Sequence, residues 1–135
     1  MRLEYQVVSL ELAKRMKELG FGQESLWWWA SRDGRDTPQK VIYNKIVSDI
    51  EAGNNNDPIC SAFTVAELGE MLPAYLPKAG WTWTPHTAKY EDEWELWFQR
   101  YGERIPQSEI MNQYGATEAD CRAKMLIHLK EKGLI

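Results

Sequence analysis

Apolar residues recur along this chain in three ways: at helical spacing, in strict alternation, and in one run that does neither. Three segments have the helical spacing. Ser9 stands at an N-cap position before Leu10, Ala13 and Met16. Gly20 follows Leu19 where a left-handed residue ends a helix, and Phe21 is placed to fold back as its apolar contact; a helix over 9–19 is predicted. Thr64-Val-Ala-Glu67 has the form of a capping box, with Phe63 and Leu68 at the hydrophobic-staple positions around it. Val65, Leu68 and Leu72 share one face as far as Pro73, which predicts a helix over 64–72. Thr117-Glu-Ala-Asp120 opens a third helix over 117–132. Its core stripe is Met125, Leu126 and Leu129, Lys130 and Lys132 suit its negative end, and Gly133 stops it.

Alternation marks strands, because successive side chains point to opposite faces. Gly80-Trp-Thr-Trp-Thr84 puts both indoles on one side. Glu93–Gln99 places Trp94, Leu96 and Phe98 on one face, and Trp97 with Glu95 and Gln99 on the other. Pro85–Asp92 is expected to link these two arms. The run that does not alternate is Ser25-Leu-Trp-Trp-Trp-Ala-Ser31. It pairs with Lys40–Lys45 across a polar loop containing Asp33-Gly34. A helix competes for the second arm, opened by Thr37-Pro38 and striped by Ile42, Ile46 and Ile50 up to Gly53; the density of β-branched residues favours the strand. The stretch 53–58 reads as a mobile loop. The order α-ββ-α-ββ-α predicts a two-layer α+β fold in a single domain, 1–135, with an antiparallel sheet of about four strands and the helices on one face.

Composition narrows the class. With 135 residues, 44% hydrophobic and 27% charged, the chain is of ordinary globular make-up, but it holds seven tryptophans. A net charge of −4 and a pI near 5.2 disfavour duplex nucleic acid as a partner. No apolar run approaches the ~18 residues that would span a bilayer, and the opening MRLEYQVVSLE has no secretory core. Two cysteines, Cys60 and Cys121, form no disulfide framework, so a reduced, cytoplasmic setting is expected.

Three segments, Ser9–Phe21 (SLELAKRMKELGF), Phe63–Pro73 (FTVAELGEMLP) and Glu118–Ile135 (EADCRAKMLIHLKEKGLI), resemble a family of small, uncharacterised phage- and prophage-encoded proteins. That family shows a helix, an aromatic strand, a TxAEL-type helix and a closing EADARAK-like helix. The matching pieces cover about a third of the chain. They are caps and core stripes, so the resemblance implies a shared fold in a bacterial host cell and carries no functional residues.

Candidate chemistry is sparse. His86, His128, Cys60 and Cys121 stand at no CxxC, HxxxH or HExxH spacing, so no metal is expected. Neither cysteine has a base beside it in sequence, although Cys121 lies in a first helical turn, where the dipole lowers a thiol pKa. Glu91-Asp-Glu93 and Glu95 are expected to be solvated. Gly20-Phe-Gly22 follows a helix, whereas a phosphate cradle precedes one. No nucleophile, base and charge stabiliser come together, and neither enzyme activity nor a cofactor is expected.

The tryptophans carry the remaining signal. The helices cover one sheet face, to which alternation assigns Trp81, Trp83, Trp94, Leu96 and Phe98. Trp27 and Trp29 oppose Trp28, so an indole of that strand faces outward in either register, and Trp97 does the same in its own strand. At roughly 200 Å² each, Trp28 and Trp97 with Tyr43 or Tyr101 make an apolar patch large enough to need a cover. That cover is an unknown protein partner, a homodimer, the chain's own 46–59 segment, or stacked bases. The first expectation is a non-catalytic protein-interaction module. The alternative is single-stranded nucleic-acid binding through Trp27–Trp29 and the basic hairpin tip of Arg32, Arg35, Lys40 and Lys45.

Overall fold

The structure is a computed structural model, and it describes residues 2–32, 39–44, 56–78, 81–100 and 112–135. The elements are a 3-10 turn (Leu3–Tyr5), α1 (Leu10–Glu18), β1 (Trp27–Arg32), β2 (Gln39–Asn44), β3 (Asn56–Ser61), α2 (Val65–Met71), β4 (Leu76–Lys78), β5 (Trp81–Lys89), β6 (Trp94–Arg100), β7 (Gln113–Gly115) and α3 (Glu118–Glu131). The class is α+β as predicted. Among the described residues, no helix is long and apolar enough to cross a membrane.

The helix ends follow the local chemistry. Thr64 caps α2 through a complete box: its Oγ1 accepts from the Glu67 N–H at 3.2 Å, and the Glu67 carboxylate accepts from the Thr64 N–H at 2.7 Å. Thr117 accepts from the Asp120 N–H in the same way at α3. Gly20 and Gly133 both adopt positive φ, and each closes its helix with the paired backbone bonds of a Schellman motif. Ser9 corrects one expectation. It holds the N-cap position of α1, but its side chain does not cap; instead its N–H donates to Asp120 Oδ1 at 2.7 Å, tying the start of α1 to the first turn of α3.

The sheet prediction needs a larger correction. The described residues form two antiparallel sheets, ordered β2-β1-β3 and β4-β5-β6-β7, so the Trp27 and Trp81 strands do not share one. The first hairpin forms as read, with β2 a strand over 39–44; Ile46 and Ile50 of the competing helix lie outside the described residues. Three strands escaped the pattern: β3, β4 and β7. All are sheet edges, two have only three residues, and β3 and β4 each contain a proline, which a strand tolerates on a side without a ladder partner. Residues 56–58 of the expected loop belong to β3, while 53–55 lie outside the described residues. Likewise β5 runs through Pro85 to Lys89, where a link was expected.

Two sheets require two inner faces to be covered, and α3 serves both. Ala119, Ala123, Leu126 and Ile127 join Val8, Met16, Cys60, Phe63 and Leu68 in a first core, against which Trp29 and Ile59 pack. Cys121, Met125 and Leu129 join Leu76, Trp83, Leu96 and Phe98 in a second. At 100° per residue, the 119/123/126 and 121/125/129 sets centre on different faces of the helix, roughly 130° apart. The stripe read from sequence straddles the two cores, Leu126 belonging to the first and Met125 and Leu129 to the second. A bulge helps the first core: pairing of β1 with β3 slips between Trp29 and Ala30, skipping Ile59, so Ile59 and Cys60 both pack inward although adjacent.

Candidate interaction surface

In the first sheet the three tryptophans divide as alternation requires. Trp29 turns inward, and its Nε1–H donates to the Val8 carbonyl at 2.9 Å. Trp28 points the other way, directly opposite Tyr43 on β2 and Ser61 on β3. Both aromatics are half-buried, and Ala30 and Ser61 on the same face are fully buried. That face is filled around Ala30.

Of the four cations at the hairpin tip, Arg32 and Lys40 are exposed. Together with Glu4 and Trp29 they line a shallow cleft of about 310 Å³. Arg35, Lys45 and Tyr101 lie outside the described residues.

The second sheet is built differently. Strict alternation on β5 and β6 sends Trp83, Leu96 and Phe98 inward, as read, and Trp94 is half-buried beside that core; nothing is described of the Trp81 side chain. The outer face then carries three cross-strand rows. Thr84 lies opposite Gln99, His86 opposite Trp97, and Ala88 opposite Glu95, which is itself opposite Tyr114 of β7. The His86 and Trp97 rings stack, with centroids 5.8 Å apart and planes 20° from parallel. Trp97 Nε1–H donates to Gln99 Oε1 at 3.3 Å, and Thr84 Oγ1 meets His86 Nε2 at 3.1 Å. The half-exposed indole is thus held in place along its row and from the neighbouring one. Trp28 and Trp97 belong to different sheets, so they do not form the single sheet-face patch expected.

Glu95 was read as a solvated carboxylate, and this is a second correction. It is 9% exposed, unlike Glu91, Asp92 and Glu93, which are exposed at the hairpin turn. Three donors hold it: Tyr90 Oη at 2.8 Å, Asn112 Nδ2 at 2.7 Å and Tyr114 Oη at 3.0 Å. The carboxylate in turn raises the Tyr90 phenol above its ordinary pKa, chiefly through that hydrogen bond, so the phenol remains a donor. The signal in sequence was weak because two of the three donors lie next to or within β7, a strand the pattern did not reveal.

The other candidates find structural settings. Cys121 is buried, its Sγ donating to the Gln113 carbonyl at 3.2 Å, and burial pushes its thiol up to about 12; desolvation overrides the helix dipole. Burial raises Cys60 too. His128 is half-buried on α3. Among the described residues, no group of three or more His, Cys, Asp or Glu side chains is placed to hold a metal ion. A cleft of about 280 Å³ opens between the 3-10 turn and the start of α3. In it the Lys89 ammonium sits 5.7 Å from the centre of the Trp94 ring, and Glu118 is committed to Arg122 at 2.7 Å. Set beside known proteins, the chain matches no protein-family model, no curated protein and no solved structure.

Proposed function

We propose that this chain is a non-catalytic protein-interaction module of the phage or prophage kind, working in the cytoplasm of a bacterial host. Its contact surface is the outer face of the second sheet. The observation that carries this reading is the state of Trp97: half-exposed, yet fixed by the His86 stack and the Gln99 bond. Binding energy at protein interfaces concentrates in rigid aromatic side chains, because little rotamer freedom is lost when they are covered. Trp28 and Tyr43 are secondary, since their face is already filled at Ala30 and Ser61. The test is Trp97→Ala, followed by solution mass, partner binding and thermal midpoint. Association should be lost with a small fall in midpoint; a collapsed midpoint with association intact refutes the reading.

One observation favours a second reading, single-stranded nucleic acid at the first hairpin: Arg32 and Lys40 are exposed in one cleft beside Trp29. Against it, Trp29 has its N–H committed to Val8, Glu4 lines the same cleft, and the fixed outward indole, Trp97, stands in the other sheet beside Glu95. Titrating fluorescence with short single-stranded DNA at physiological salt should give a flat response. Quenching that persists there and is lost in Trp28→Ala would move the function to the first sheet.

A further inference from the structure

We propose that the partner presents arginines to the second sheet's outer face, where one guanidinium stacks on Trp97 and another pairs with the acids of the β5–β6 turn; this rests on the protein-binding reading above. The first support is electrostatic. Glu95 is held by two phenols and an amide, donors that bring no positive charge to it. Its negative field therefore remains at a face whose rows hold no lysine or arginine: Thr84 with Gln99, His86 with Trp97, and Ala88 and Tyr114 on either side of Glu95 itself. Three exposed carboxylates, Glu91, Asp92 and Glu93, extend that field around the turn into β6.

Two cations near this hairpin are engaged elsewhere. Lys89 pairs with Trp94 across the strands, on the opposite face, and places its ammonium over that ring. Lys124 donates to the Tyr114 carbonyl at 2.8 Å, at the β7 border. The three rows and the turn thus hold acids and no lysine or arginine.

The second support is the pairing of those acids with aromatic rings. Tyr90 and Tyr114 are exposed, and Trp97 is half-exposed between the Glu95 row and Gln99. A carboxylate cluster alone recognises any cation. Ring faces set beside carboxylates favour the planar, weakly hydrated guanidinium, which stacks on the one and forks onto the other, over the compact ammonium of lysine.

The test uses short Gly/Ser peptides carrying arginine, lysine or neutral citrulline at the same positions, added to the full chain at physiological salt. Binding is followed at the Trp97 indole N–H by NMR. The arginine peptide should bind about tenfold tighter than the lysine peptide and move the Trp97 resonance. Trp97→Ala should cost about tenfold in affinity. The combined Glu91→Gln, Asp92→Asn and Glu93→Gln variant alters only exposed turn residues and should also weaken binding, whereas Glu11→Gln on α1 should not. Equal binding of arginine and lysine peptides, or binding insensitive to Trp97→Ala, overturns the proposal by reducing it to net charge. No peptide binding, together with a doubled solution mass that Trp97→Ala restores to monomer, overturns it while leaving the protein-binding reading in place. A collapsed midpoint in Trp97→Ala with no association of any kind overturns both.

Discussion

The two sheets use the same residues to different ends. In the first, three consecutive tryptophans put indoles on both sides of one strand, and the molecule answers by occupying both sides: Trp29 is tied to Val8 in the core, and the Trp28 face is closed at Ala30 and Ser61. In the second, alternation separates the roles. Trp83, Leu96 and Phe98 fill a core, while Trp97 stands outside in a set of polar rows that satisfy one another. Tryptophan count alone does not mark a surface. What distinguishes Trp97 from Trp28 is that its neighbours His86, Thr84 and Gln99 on the same face stay at least partly open, whereas Ala30 and Ser61 beside Trp28 are fully buried.

The sharpest way to break the contrast is to remove the inward indole. Trp29→Ala should cost about 4 kcal/mol in urea denaturation, from the cavity and from the Val8 carbonyl left without its donor. Trp97→Ala should cost far less. If the two losses are equal, the distinction between core and surface indoles is wrong. Next in size is Gly115→Ala, which attacks the second sheet alone. A Cβ there would lie 2.6 Å from the Cys121 nitrogen and 3.0 Å from the Thr117 carbonyl oxygen. Those are backbone atoms that cannot swing aside, so β7 must separate from α3. A loss of about 3 kcal/mol is expected, read from the urea midpoint, with the first core keeping its contacts.

Burial of Cys121 gives a prediction in pH. Its folded pKa is raised to about 12, above the ordinary thiol value near 9. The thiol's contribution to stability is full below pH 9, where both states are protonated. It then declines as pH rises towards 12, because the unfolded chain releases a proton that the folded one retains. The slope is about 1.4 kcal/mol per pH unit, and Cys60, raised in the same direction, adds to it. Denaturation between pH 8 and about 10.5 should show this fall, and Cys121→Ala should flatten it. Rapid alkylation of the folded protein at pH 9 would contradict the buried placement. Smaller again is Thr64→Ala, which removes the α2 cap at a cost of about 1 kcal/mol. A loss of only a few tenths in urea denaturation would mean the box with Glu67 contributes little.

That ordering mirrors what was legible. Caps are local, so Thr64, Thr117, Gly20 and Gly133 announced three helices to within a residue or two. The alternation of Trp81–Thr84 and Trp94–Phe98 announced a hairpin and its inward face. Sheet membership is not local. Nothing in Trp27–Trp29 says that its second neighbour is Asn56–Ser61, nor that Pro58 would sit opposite Ala30 at an edge. The two-sided burial of α3 was hidden because the contacts of its first half come from Ala119, Cys121 and Ala123, small residues that barely register in a hydrophobic pattern. Glu95 was missed for a related reason. Its donors come from a turn, from Asn112 and from a three-residue strand, brought together only by the tertiary fold.

The smallest effect tests the least local feature, the placement of Trp97 by its cross-strand neighbour. His86 is exposed, so His86→Ala removes little buried area; the ring stack it makes with Trp97 is worth about 0.5–1.5 kcal/mol in favourable cases, and exposure puts this one at the low end. The thermal midpoint should hardly move. The indole, however, keeps only the Gln99 bond at 3.3 Å, a contact too long to hold the ring alone. Its N–H resonance should broaden or shift, and the arginine peptide should bind a few-fold more weakly because the ring must be ordered on contact. The corresponding change in the first sheet, Tyr43→Ala opposite Trp28, should act the other way round: a fall in midpoint and no change in peptide binding, as expected where the neighbouring Ala30 and Ser61 are already enclosed. If His86→Ala and Tyr43→Ala behave alike, the two outward tryptophans are equivalent after all, and the case for a contact surface on the second sheet rests on its acids alone.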